Sequence, residues 1–386
     1  MELKTARGRL FILLLILLVT PLLAGRFHFL KEWDLRGDIR NTPKPLFSWR
    51  SWWNGTYQDS MNDHLNDSVA GRTWLVRINN QIDYSLFGKL HAREVIMGKN
   101  HCLYEQAYID AYYGRDFKGD DEVRQRLTKL KFIQDTLDRL GTKLILVYAP
   151  SKARFYPEYI PDNLRSAVPP GNYYDAFLRI GDSLHIRQVN LNGWFAAIKD
   201  KYRGKQLLMS KQGIHWTVFG AMIGTDSLQR FMEKELHIDM PDVSWKINEH
   251  SYTTDARDAD NDLFKGLNIL FPVTSEKFCY PEISVKDDST KQKPKAIYIA
   301  DSFFWVVLFN KIIQQTHSDW QFWYYFHEVW GSNVKDGAMV REMDWPAIMA
   351  KNDCVVILYT EQNLRALGSG FIEDAYNHFK PHSPAK

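Results

Sequence analysis

Residues 296–303 read Ala-Ile-Tyr-Ile-Ala-Asp-Ser-Phe. Five apolar residues in unbroken series spell a strand covered on both faces, the habit of a parallel sheet packed between helices. The polar pair that follows sets Ser302 at the C-terminal end of that strand. In open α/β sheets this is the rim where side chains reach a crevice beside the next helix. Two other runs have the same character: Lys143–Tyr148, with Leu-Ile-Leu-Val at its centre, and Cys354–Tyr359.

Helical periodicity lies between these runs. Val123, Leu127, Leu130, Ile133, Leu137 and Leu140 line one face of a helix expected over Asp120–Leu140, which Gly141 stops. Further helices are expected over Tyr173–Leu184, Gly193–Lys199 and Thr217–Leu236, with strands near Glu94–Met97 and Arg187–Leu191. Residues 241–292 are polar with few periodic signals and are read as irregular. Strands alternating with helices predict an α/β domain, a mostly parallel sheet sandwiched between helices in three layers.

The N-terminus has another character. Leu10–Ala24 is apolar apart from Thr20 and Pro21, and Lys4, Arg7 and Arg9 precede it. A basic flank before an apolar run holds the N-terminus in the cytoplasm and sends the rest across the membrane. The run is shorter than the ~20 residues of a comfortable spanning helix. Its small-x-small cleavage pattern is weak, which favours an uncleaved signal-anchor over a cleaved signal. The expected organisation is a membrane segment over 1–25, a tether over 26–50 stiffened by Pro43 and Pro45, and one domain over 51–386. Within that domain 51–90 is a helical lead-in, broken at Gly71. The domain is then extracytoplasmic, or secreted if the segment is cleaved.

Composition narrows the function classes. The chain has 386 residues, 45% apolar and 25% charged, with a net charge of +3. No dense basic stripe or reader motif points to nucleic acid. No nucleotide fingerprint or metal motif is present, so no cofactor and no metal is expected. Cys102, Cys279 and Cys354 are too far apart for a zinc or redox pair; an exported domain has room for one disulfide. Cys354, inside an apolar run, reads as a small buried hydrophobe. The aromatic fraction is 14%, and the cluster Trp320, Trp323, Tyr324, Tyr325 and Trp330 fits either core packing or stacking on sugar rings.

Two elements carry chemistry when taken together. Ser302 alone reads equally well as a helix cap. The segment Gly213-Ile214-His215-Trp216-Thr217-Val218-Phe219-Gly220-Ala221 sets His215 at the start of an apolar helix, where an imidazole meeting a hydroxyl acts as its general base. The pair resembles the AlgJ/AlgX-like (DHHW) branch of the SGNH hydrolase-like proteins, in which a His-Trp-x-x-x-Gly-Ala segment precedes a Gly-Asp-Ser-Phe segment. Here His215-Trp216 with Gly220-Ala221 matches the first and Ala300-Asp301-Ser302-Phe303 the second. Gly98-Lys99-Asn100 with Leu103-Tyr104-Glu105, Pro150-Ser151-Lys152 with Tyr156-Pro157-Glu158, and the strand ending in Thr360-Glu361 extend the resemblance over roughly residues 50–375.

That resemblance implies an SGNH-like (flavodoxin-like) fold and an O-acetyltransferase for an exported or cell-envelope polysaccharide, at a bacterial inner membrane with its domain in the periplasm. Ser302 is then the nucleophile and His215 its base. The acyl donor is supplied by a membrane acyltransferase and the acceptor is a polysaccharide. One departure stands out: the family's Asp two residues before the His is Gly213 here. An acid is needed to orient the imidazole, and Asp301, Asp260 and Asp262 are the candidates, with Asp301 beside the nucleophile. Lys152, Tyr156, Trp216 and Glu361 are expected to line the substrate crevice. Other readings of the same residues are a carbohydrate esterase, a glycan-binding module with a degenerate site, and an accessory subunit of a secretion complex.

Overall fold

The computed structural model describes residues 2–380 except 28, 30–32, 38–41, 167–170, 258, 272–274, 287 and 336. Part of the expected tether therefore lies outside the described residues. The chain forms two compact units, Met1–Arg93 with Phe264–Val273, and Glu94–Leu263 with Thr274–Lys386.

The second unit is built on a seven-stranded sheet. Its strands are β1 (Lys143–Ala149), β2 (Gln188–Asn190), β3 (Lys295–Ala300), β4 (Asp319–Tyr324), β5 (Glu328–Gly331), β6 (Ala338–Met339) and β7 (Cys354–Thr360). Across the sheet the order is β6-β5-β4-β3-β7-β1-β2. From β4 to β2 every pairing is parallel, and only β5 and β6 add antiparallel edges. This is the expected α/β arrangement, mostly parallel as the apolar runs require.

Strand alternation decides what each face covers. Leu144, Leu146 and Tyr148 of β1 share one core with Ile297, Ile299, Val355 and Ile357, under helices Asp120–Arg139, Tyr173–Ser183 and Phe371–Phe379. The intervening residues face the other side, where the Tyr298 hydroxyl meets Met232 of helix Val218–Leu236. Each such aliphatic side chain, buried to about 0–1% exposure, contributes about 1.5–3 kcal/mol relative to exposure. Both sides of β1, β3 and β7 are thus buried, and the strands read as unbroken apolar runs for that reason.

Register sets the rim. Ala149 pairs with Thr360, and Leu358 with Ala300, so β1, β7 and β3 end together. The segments that follow, beginning at Pro150, Asp301 and Glu361, are gathered at one edge.

Two regions depart from the sequence reading. Residues 241–292 are not wholly irregular: Asp242–Lys246 pairs with Glu282–Lys286, and Tyr252–Thr253 with Phe278–Cys279. The aromatic stretch 319–331 is the antiparallel β4–β5 pair. The three thiols are all buried and unpaired, so no disulfide forms.

The first unit is helical. Helices cover Glu2–Phe27, Trp49–Trp53, Thr56–Ser68 and Arg72–Phe87, and Gly71, at φ 82°, makes the expected break. Its left-handed backbone suits a glycine. Among the described residues no helix is long and apolar enough to cross a membrane.

Candidate active site

Ser302 follows β3 and stands at the cap position of the short helix Phe303–Phe309, yet its side chain makes no capping bond. Its Oγ instead lies 2.9 Å from His215 Nε2. The other ring nitrogen, Nδ1, lies 2.5 Å from Asp262 Oδ2. Serine, imidazole and carboxylate are therefore in line, each within hydrogen-bond reach of the next. With Nδ1–H donating to the carboxylate, Nε2 is left to accept the serine proton. The His215 side chain is 14% exposed, so the chain of bonds sits at the surface of the unit rather than sealed inside it.

Asp262 is held as a carboxylate. Burial alone would raise its carboxyl. The hydrogen bond and charge of His215, with backbone N–H bonds from Ile214 and Leu263, more than offset this and hold it below the ordinary carboxylate range. Oδ1 accepts those two backbone bonds at 2.8 and 2.7 Å, which leaves Oδ2 aimed at the ring.

The segment carrying His215 is fixed from several directions. Thr217 caps helix Val218–Leu236, its Oγ1 accepting from the Gly220 N–H at 3.0 Å. The Trp216 indole N–H donates to the Phe303 carbonyl at 3.0 Å and so ties the histidine segment to the serine segment. Upstream, the fully buried Lys152 Nζ donates to the carbonyls of Lys211, at 2.9 Å, and Gly213, at 2.5 Å. Burial pulls this ammonium below its ordinary value, while the carboxylates of Glu276, Asp262 and Glu105 act the other way.

Several expected site residues have other work. The acid at His215 is Asp262, not Asp301. Asp301 is fully buried; its Oδ1 accepts from the Phe303 N–H, and its Oδ2 from the Thr360 N–H, the Thr360 hydroxyl and the Asn363 amide. Those four bonds stitch the serine turn to the end of β7 and leave nothing for the imidazole. Asp260 accepts from the Val218 N–H and the Tyr280 hydroxyl. Lys152, expected to touch substrate, is wholly enclosed. Trp216 is 1% exposed and serves packing. Glu361, 2% exposed, receives a two-point bond from Arg154 at 2.9 and 2.6 Å and one from Asn192. The Tyr156 hydroxyl donates to the Met209 carbonyl, and the residue borders a surface cavity with Tyr159 and Lys199. In the aromatic cluster, Trp323 is core, while Trp330 remains 39% exposed.

Two further groups face the site. Tyr325, just beyond β4, has its phenol pushed up to about 12 by burial and the Asp301 charge, with Ser302 and Asn363 opposing as hydrogen-bond partners. Its φ of 48° is rare for a side chain of this size. Glu105 is raised above the ordinary range by burial and by the Asp262 charge, against the pull of His215. Tyr325 stood in the sequence only as a member of the aromatic cluster; its place one residue past the Tyr324–Ala300 pair is set by the strand register. Glu105 ends the short hairpin strand Leu103–Glu105 and entered the sequence reading only as part of the motif Leu103-Tyr104-Glu105.

Residues 95–261 match the family model described as the SGNH hydrolase-like domain of the acetyltransferase AlgX. That stretch takes in the Gly98, Pro150 and His215 motifs of the resemblance but not the Asp301-Ser302 segment or the strand ending in Thr360-Glu361. Among curated proteins the chain is similar to the probable alginate O-acetylase AlgJ of Pseudomonas syringae pv. tomato, 25% identical over 175 residues. That match takes in 45% of this chain and 42% of the relative. The Pseudomonas aeruginosa protein of the same name is 27% identical over 161 residues, 42% of this chain and 38% of that one. The chain thus aligns with less than half the length of these relatives. The solved O-acetyltransferase domain of Pseudomonas putida AlgJ superposes with a TM-score of 0.48 at 16% identity, covering 74% of this chain and 99% of that one.

Proposed function

We propose that the protein is a serine-dependent O-acyltransferase of SGNH type that moves an acyl group, acetyl by similarity to its relatives, onto a hydroxyl of a polysaccharide outside the cytoplasm. The observation that carries this reading is the unbroken line Ser302 Oγ, His215 and Asp262, at 2.9 and 2.5 Å.

The chemistry follows from that line. His215 Nε2 takes the Ser302 proton as Oγ forms a bond to the acyl carbon, and the imidazolium that results is stabilised by Asp262. Collapse of the tetrahedral adduct breaks the bond to the donor's leaving group, which takes the proton from Nε2. An acyl ester on Ser302 remains. A sugar hydroxyl then loses its proton to Nε2 and attacks the ester carbon, and Oγ leaves and recovers the proton. With water as acceptor the same steps make an esterase. The Phe303 N–H is committed to Asp301, so the developing oxyanion falls to the Ser302 N–H and the Tyr325 phenol.

Because acetyl donors are cytoplasmic, the donor partner in this reading is a membrane acyltransferase, with the protein working beside it on the periplasmic side of the inner membrane. The degenerate binding-module reading rested on Gly213, and Asp262 supplies the carboxylate that position lacks.

Covalent labelling of the full chain with an activated acetyl ester, read by intact mass, tests the proposal. One acetyl per chain, absent in Ser302→Ala and strongly slowed in His215→Ala, is the expected outcome. Labelling that persists in Ser302→Ala overturns it.

A further inference from the structure

A cavity of about 400 Å³ lies wholly within the helical first unit. Arg36, Arg77 and Lys265 border it against a single carboxylate, Asp34, and Trp33, Phe264 and Ile269 supply its apolar wall. The Arg77 guanidinium, on helix Arg72–Phe87, donates to the Ile269 carbonyl at 3.3 Å and to the Asp34 carbonyl at 2.8 Å, and lies 5.8 Å over the Trp33 ring. Arg36 is fixed by its backbone: its N–H donates to Asn268 Oδ1 at 2.8 Å, and its carbonyl accepts from Asn268 Nδ2 at 2.9 Å. The Arg36 guanidinium makes no hydrogen bond or ion pair among the described residues.

Two guanidiniums thus share one cavity, and neither is in a salt bridge among the described residues. Carbonyls satisfy the Arg77 donors but leave its charge in place. Burial and the nearby Arg36 charge hold Arg77 below its ordinary value. Bringing like charges together has an electrostatic cost, which an anion seated between them offsets. A phosphate monoester suits the pair better than a carboxylate does. It carries nearly two charges and three acceptor oxygens, and the planar fork of a guanidinium matches its geometry. Trp33, 41% exposed at the edge of the cavity, offers a flat apolar face to the organic part of the ester.

We infer that this cavity binds a phosphate monoester, its oxygens held by Arg36 and Arg77 and its organic part laid against Trp33. Binding there draws on none of the residues of the Ser302 line. The ester reaches the cavity either free in solution or as the headgroup of a phosphatidic acid lipid, and the same two guanidiniums recognise both.

Calorimetry of the full chain with glycerol 3-phosphate, and flotation with phosphatidylcholine vesicles made with or without phosphatidic acid, provide the test. One ester is expected to bind per chain. Arg36→Gln is expected to weaken it at least about tenfold, as loss of a hydrogen bond between charged groups does, and Arg36→Lys to weaken it less. Arg341→Gln, which removes an exposed arginine of the second unit, leaves the affinity unchanged. The Arg36 side chain holds no internal bond, so Arg36→Gln stays folded; Arg77→Gln repeats the effect where circular dichroism shows it folded, and Arg36→Gln decides where it does not. If the lipid is the source, the soluble ester binds too weakly to detect, and vesicle binding requires phosphatidic acid and falls by the same factor in Arg36→Gln. If neither probe loses affinity in Arg36→Gln, or if Arg341→Gln causes an equal loss, the site is overturned.

Discussion

A Cβ placed on Gly213 would lie 2.7 Å from the carbonyl oxygen of Asp260. Real side chains do not approach backbone so closely. The segment bearing Asp260 and Asp262 crosses where an acid two residues before His215 would have to sit. Asp262 reaches the imidazole from that crossing segment. The missing side chain and the relocated carboxylate are two sides of one packing arrangement.

Asp262→Asn is accordingly expected to lower the acylation rate by roughly 10³–10⁴-fold, since the amide favours the wrong imidazole tautomer. Restoring an acid at the other position does not help. Gly213→Asp, combined with Asp262→Asn, is expected to stay as slow and to unfold at lower temperature. Single-turnover labelling and a thermal melt read both effects. Recovery of the rate in the double variant would contradict the crossing argument.

Lys152→Met keeps much of the side-chain volume but leaves the Lys211 and Gly213 carbonyls without their shared donor. The Lys211 carbonyl keeps its bond from the Leu103 N–H, so one buried acceptor is left unsatisfied and a loss of about 1–3 kcal/mol is expected in urea unfolding. The labelling rate should fall with it at a denaturant-free temperature where the variant is still folded, because the backbone before His215 is loosened. A stable variant with normal labelling would assign the lysine no positioning role.

Asp301→Ala separates structure from catalysis. Four donors lose their acceptor, and stability is expected to fall by about 3 kcal/mol or more. The pH profile of labelling in the folded fraction keeps its shape, because Asp301 makes no bond to His215. A displaced acid limb would return Asp301 to the catalytic set.

His317 gives a pH signature unrelated to the site. Burial lowers its pKa to about 3, and its ring bonds to the Tyr298 hydroxyl at 2.8 Å. The unfolded chain binds a proton near the ordinary value of about 6.5 while the folded chain does not. Stability is therefore full above that value and falls as pH drops toward the folded pKa, by about 2 kcal/mol at pH 5. His317→Asn is expected to flatten this fall. Urea midpoints at pH 7 and pH 5, compared between the two proteins, measure it.

The sequence alone determined the layers. The runs at 143–148, 296–300 and 354–359 had to be central strands, because a strand buried on both faces has no room for polar alternation, and the 120–140 stripe had to be a covering helix. It also marked Ser302 and His215, since a polar pair after such a strand and a histidine opening an apolar helix are local features. It misjudged Lys152, Trp216 and Glu361, because polarity or an aromatic ring near a rim does not say whether the side chain turns outward or is spent on backbone carbonyls, packing or Arg154. The short strands within 241–292 were hidden because two- to five-residue pairings leave no period to read. Only the tertiary structure decided the third member of the line through Ser302 and His215. Asp260, Asp262 and Asp301 are equivalent carboxylates along the chain, and what distinguishes them is the 2.5 Å approach that one makes to His215, a distance between residues 47 apart in sequence that no local pattern encodes.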